Sequence, residues 1–232
     1  NYMRILKHGK NRQHYNSLRN IIRLITVLLF TSSLSKNYIH IFYSQSSNIT
    51  IKVNSTGVIY YYHLEDYHFH CNELYTRPNK VYLNGVYKGT PSQNIYINDT
   101  NNIIKLSWIT TISSAACLFG GCINIREIDL TEFDSSAITR MNNMFSGCSG
   151  LTSIIISNLD TSKVNFMEYM FTDCRSLTSL DLSSFNTKKV TSMDAFFKGC
   201  TSLTFLNLSS FQTPAVQKLN SLFENCKSLT SI

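Results

Sequence analysis

The chain has 232 residues, 43% of them hydrophobic, and a formal net charge of +7; that apolar content can build a sizeable core and excludes a disordered chain. Arg4, Lys7, Lys10, Arg12, Arg19, Arg23 and Lys36 all precede the first acid, Glu65, and beyond residue 36 basic and acidic residues are equal in number. A neutral body offers phosphates no electrostatic footprint, which argues against a nucleic-acid partner.

Residues 1–36 read as a basic leader with an apolar run, Leu24 to Phe30, followed by the small residues Thr31 to Ser35. That order is the order of a secretory signal, with cleavage near Ser35. Only 12 residues separate Arg23 from Lys36, fewer than the roughly 20 a helix needs to cross a bilayer. Membrane association is therefore expected only through the leader, if it stays uncleaved as a basic amphipathic segment. The N-glycosylation acceptor patterns at Asn48, Asn54, Asn98 and Asn207 agree with a secretory route, although such patterns arise easily in a chain rich in Asn, Ser and Thr.

Residues 45–108 predict a small β-rich region. Ile49, Ile51 and Val53 alternate with polar residues, Val58 to Tyr62 is β-branched and aromatic, and Asn84-Gly85 between Val81-Leu83 and Val86-Tyr87 predicts a tight hairpin. Ile95 to Ile97 and Ile103 to Trp108 complete the region as further strands. The cluster His63, Glu65, Asp66, His68, His70 and Cys71 is rich in ligand types and raises metal binding. The plainer reading is a strand edge or loop in which aromatic and polar residues alternate, so no metal and no cofactor is expected. No phosphate-binding glycine loop, G-x-S-x-G elbow or H-E-x-x-H is present, and no catalytic residue is assigned.

Residues 109–232 carry an internal repeat. Cys122, Cys148, Cys174, Cys200 and Cys226 are each separated by 26 residues. Three residues before each stands Phe119, Phe145, Phe171, Phe197 or Phe223; three after, Ile125, Leu151, Leu177, Leu203 or Leu229. Alternating aliphatics follow, from Ile128/Leu130 to Leu206/Leu208, as in a short strand. Then comes a spacing of three, three, one and three, as in Ile138, Met141, Met144, Phe145 and Cys148, which predicts a two-turn helix. Thr139, Asn165 and Thr191 suit its N-cap, Glu168 and Asp194 a capping box, and Gly121, Gly147, Asp173, Gly199 and Asn225 a left-handed stop. The expected fold is an α/β repeat solenoid, parallel strands on one face and short helices on the other, preceded by the small all-β region. Its cysteines form a column of buried free thiols beside the phenylalanines.

The segment Cys174-Arg-Ser-Leu177-Thr-Ser-Leu180-Asp-Leu182-Ser-Ser-Phe185, continuing to Val190 and Met193, and the segment Met144-Phe145-Ser-Gly-Cys148 resemble the BspA-like leucine-rich-repeat surface proteins, in particular their 26-residue class. The resemblance covers about 112–232. It implies a horseshoe-like fold, surface display, and adhesion or partner binding without catalytic residues. Departures lie at the ends of the array: Ile104, Leu106 and Trp108 look like a shortened capping unit, and the chain stops at Ile232 within a strand, as a truncated array would.

Strand residues between the core positions point outward in such a solenoid and are the candidate partner-binding residues: Glu127, Asp129, Ser153, Ile155, Ser179, Asp181, Phe205 and Asn207. Ile155 and Phe205 are the apolar anchors among them. Three functions stay open at this point. The first is an extracellular or surface adhesion module for a protein or glycoprotein ligand; the second is an intracellular scaffold on the same solenoid; the most remote is a metal-binding protein using His63 to Cys71.

Overall fold

Alternation of apolar and polar residues puts Ile49, Ile51 and Val53 on the buried side of the first strand, β1 (Ser47–Val53), and Asn48, Thr50 and Lys52 on the other. The computed structural model describes residues 47–54, 56–60, 77–89 and 94–232. The leader and the His63 to Cys71 cluster lie outside the described residues. Ser46–Ile232 form one compact unit.

Next come β2 (Gly57–Tyr60), β3 (Lys80–Leu83), β4 (Val86–Gly89), β5 (Asn94–Ile97) and β6 (Asn102–Trp108). β3 and β4 form a hairpin whose turn residues, Asn84 and Gly85, have φ of 49° and 79°, the positive pair that a primed two-residue turn requires. β2 and β5 pair with each other. β1 lies between β6 and the first strand of the repeats, β7 (Ile125–Asp129), antiparallel to both. With β8 (Ser153–Ile155) the sheet order is β4-β3-β6-β1-β7-β8. Trp108, fully buried, meets Phe133 edge-on at 5.8 Å, so the core of the N-terminal strands runs into that of the first coil.

The repeats stack in register as 26-residue coils. Phe119, Phe145, Phe171, Phe197 and Phe223 lie in nearly parallel layers, neighbouring centroids 5.2 to 6.1 Å apart. Cys122, Cys148, Cys174 and Cys200 are free and buried, and Cys226 is free and half-buried. Each thiol from Cys148 onward donates to the carbonyl of the phenylalanine one coil earlier, as Cys148 does to Phe119 at 3.0 Å and Cys174 to Phe145 at 3.2 Å. Burial pushes these thiols up, Cys148 and Cys200 to about 12. Leu151, Leu177 and Leu203 are fully buried, whereas Leu229 is half-buried.

The expected α/β class is overturned: among the described residues there is no helix, and the second face of every coil is a layer of turns. The cause is backbone geometry. Besides the left-handed residue just before each cysteine, with φ of 56° to 76°, every coil has a second one four residues earlier. Cys117, Asn143, Tyr169, Ala195 and Ser221 have φ of 52° to 59°, and a right-handed helix cannot pass through such a residue. The backbone bonds follow suit. The N–H groups of Met141, Asn143, Phe145 and Gly147 donate to the carbonyls of Phe166, Glu168, Met170 and Thr172 in the next coil, at 2.7 to 2.9 Å. Those of Met144, Ser146 and Cys148 close local turns three residues back. The same four bonds between coils recur one and two coils on.

The expected caps do other work. The N–H groups of Thr139, Asn165 and Thr191 bind the carbonyls of Ser113, Thr139 and Asn165 in the preceding coil, and the Asp194 carboxylate accepts the N–H of Asn220 at 2.8 Å. The expected single parallel sheet is also interrupted. β7 pairs with β8, and β9 (Ser179–Asp181) with β10 (Phe205–Asn207), but β8 and β9 belong to different sheets. Turn-layer bonds such as Met167 N–H to Ser192 carbonyl join the coils there.

Candidate functional site

Because side chains alternate across a strand, strand register decides which outward residues become neighbours. One row crosses all six strands: Tyr87, Tyr82, Lys105, Thr50, Asp129 and Ile155. Beside it run Ile103, Lys52, Glu127 and Ser153, and on the other side Lys80, Ser107 and Asn48. The outward surface of the first coils therefore continues onto the N-terminal strands.

Of the sequence-predicted partner-binding residues, Glu127, Asp129, Ser153 and Ile155 lie on this sheet, and Ser179, Asp181, Phe205 and Asn207 on the separate two-stranded one. Ile155 and Phe205 are 47% and 48% exposed. Asp129, Asp181 and Asn207 close the turn after their strand, each side-chain oxygen accepting the N–H two residues on, at 2.9 to 3.1 Å. That bond from Ser183 holds the Asp181 carboxyl below its ordinary value. These three have a local structural task as well as an outward position. Of the acceptor asparagines, Asn54 and Asn98 are exposed, and Asn48 donates its amide to Glu132 at 3.1 Å.

The cations of the face differ in their surroundings. Lys52 is paired with Glu127 at 2.5 Å and Lys105 with Glu132 at 2.9 Å. The hydrogen bond from Lys105 is the main cause that lowers the Glu132 carboxyl. Lys80 forms no ion pair among the described residues. Two depressions share Ile103, one of about 530 Å³ over Asn48, Thr50, Lys80, Tyr82 and Lys105, the other of about 470 Å³ over Lys52, Asn54, Asn101, Arg126 and Glu127. Tyr82 and Tyr87 stand with ring centroids 5.6 Å apart.

Lys80, Tyr82, Thr50 and Lys105 were not singled out by sequence. The alternation around Ile49 to Val53 and Ile103 to Trp108 does place Thr50, Lys52 and Lys105 opposite the core. Nothing in the sequence announces that β1 slots between β6 and β7. Among the described residues no three His, Cys, Asp or Glu side chains are arranged to hold a metal ion. Cys117, at a left-handed position of the turn layer, is disulfide-bonded.

A family model described as "Mycoplasma protein of unknown function, DUF285" matches residues 113–232, just over half of the chain. No curated protein and no solved structure matches it.

Proposed function

This chain belongs to the DUF285 family, and on that premise we propose that it is a recognition protein that binds a macromolecular partner, a protein or glycoprotein, through its outward sheet face at the cell surface or outside the cell. The observation that carries the reading is the row Tyr87, Tyr82, Lys105, Thr50, Asp129 and Ile155. It sets aromatic and aliphatic anchors among polar and charged groups on one continuous sheet, and such exposed anchors are what binding hot spots use. The likeness of the repeats to BspA-like surface proteins points the same way.

Thiol chemistry supports that compartment. A disulfide at Cys117 persists in an oxidising environment and is rare in the cytosol. The free cysteines survive beside it because burial keeps their thiols protonated, and the thiolate is the reactive form. The intracellular scaffold on the same solenoid is the competing assignment, and fractionation with mass spectrometry of the native protein separates the two.

The test of recognition is adhesion of the purified chain to cells and to immobilised matrix glycoproteins. Wild type should bind saturably, Ile155→Asp should lose at least ~10-fold, as loss of an apolar hot-spot anchor does, and Lys188→Ala, outside the face, should match wild type. Equal binding by Ile155→Asp and wild type, or no binding by any of them, overturns the reading.

A further inference from the structure

We infer that the depression around Tyr82 and Lys80 takes an acidic sugar, a pyranose carrying a carboxylate, as the recognised unit of a glycan; this rests on the recognition reading above. Three features of this surface meet the three chemical demands of such a ligand. The first is an aromatic platform. Tyr82 lines the depression with Tyr87 beside it, ring centroids 5.6 Å apart and tilted by 52°. A pyranose has one face of C–H groups with partial positive charge, which settles on the negative face of an aromatic ring.

The second is a cation left over for a ligand. Lys52 and Lys105 are each neutralised by a glutamate, whereas Lys80 in the same depression forms no ion pair among the described residues. Lys80 and Tyr82 are two residues apart on one strand and point the same way. Their Cα atoms are therefore about 6.6 Å apart, room for one sugar ring between a stacked face and a carboxylate held by the ammonium. The third is a floor of small polar groups. Ser107 lies directly opposite Lys80 on β6, and Thr50 lies one strand further, on β1 beyond Lys105; both line the depression, offering a ligand's ring hydroxyls groups that both donate and accept. Ile103, 43% exposed at its rim, supplies apolar contact for an N-acetyl or C-methyl substituent.

The experiment is an NMR titration of the full chain with methyl glucuronide and, separately, methyl glucoside, which differ only at C6, a carboxylate in the first and a hydroxymethyl group in the second. The inference expects glucuronide to shift the Tyr82, Thr50 and Ser107 signals and to bind about 10-fold tighter than glucoside, the usual gain from one charge-assisted hydrogen bond. Lys80→Gln should abolish that preference and leave glucoside binding in place; Tyr82→Ala should weaken both sugars. Equal affinities in wild type, a preference that survives Lys80→Gln, or no binding of either sugar overturns the inference. If neither sugar binds while adhesion to cells still depends on Ile155, the glycan assignment alone fails and the recognition reading stands.

Discussion

Replacing Phe145 by alanine tests the stacked column at its most constrained layer. Its ring is fully buried and stacks on Phe119 at 5.8 Å and on Phe171 at 5.2 Å. Truncating a buried phenylalanine costs about 3–5 kcal/mol through lost transfer energy and the cavity left behind, and two aromatic contacts, each worth roughly 0.5–1.5 kcal/mol beyond area, place this site near the upper end. For a chain of this size, a loss of about 4 kcal/mol lowers Tm by roughly 8–16 °C. Phe223 is half-buried and, among the described residues, stacks on Phe197 alone, at 5.6 Å, so Phe223→Ala should lose about 1–2 kcal/mol. Urea denaturation followed by tyrosine and tryptophan fluorescence gives both values from the midpoint shifts. Equal losses in the two variants, or a loss under about 1.5 kcal/mol at Phe145, would refute a column in register.

Further expectations follow from the turn layer, the close approaches and the thiols. Ser221 is exposed and left-handed, with φ of 55°, and its side chain bonds the exposed Glu224 carboxylate; Ser221→Gly relieves backbone strain of about 1–2 kcal/mol, loses that one surface bond and should gain about 0.5 kcal/mol net, whereas a helical site would lose about 0.5–1 kcal/mol. A thermal melt decides between the two signs. A Cβ on Gly150 would press into the backbone carbonyl oxygen of Ile123, so Gly150→Ala should cost about 1–3 kcal/mol; an unchanged denaturation midpoint would contradict the close approach. Cys148 has a folded pKa pushed up to about 12 by burial, against roughly 8.5 unfolded. A raised folded pKa means that stability is fully present below pH ~8.5 and falls as pH rises toward 12, by up to ~1.4 kcal/mol per pH unit for this thiol. Cys148→Ala should flatten the alkaline slope by that amount, and identical slopes would count against a buried neutral thiol.

The repeat was legible because one apolar spine imposes the same side chain at the same place in every coil. The phenylalanine and cysteine columns and the inward strand residues could be read directly from the 26-residue spacing. So could the left-handed stop before each cysteine, where Gly121, Gly147 and Gly199 sit. The helix was misread for two physical reasons. Consecutive three-residue turns bring every third side chain to one face, as the first turns of a helix do. The second left-handed position is filled by Cys117, Asn143, Tyr169, Ala195 and Ser221, of which only asparagine advertises positive φ. There the bonds between coils, not the intrinsic preference of the residue, fix the backbone.

The candidate site was legible in part. Glu127, Asp129, Ser153 and Ile155 follow from strand alternation within the repeats. Lys80, Tyr82, Thr50 and Lys105 join them only because β1 pairs with both β6 and β7, and pairing between distant strands leaves no local mark in the chain. The break between β8 and β9, which separates Ser179 and Phe205 from that face, is invisible for the same reason.

These coils are tied to one another through backbone bonds in their turn layers. The most direct measurement is the NMR scalar coupling across the hydrogen bond donated by the Phe145 amide. The structure predicts a coupling to the carbonyl of Met170 in the next coil, where the two groups lie at 2.9 Å. A coupling to the carbonyl of Met141, the partner four residues back that a helix would use, would contradict it.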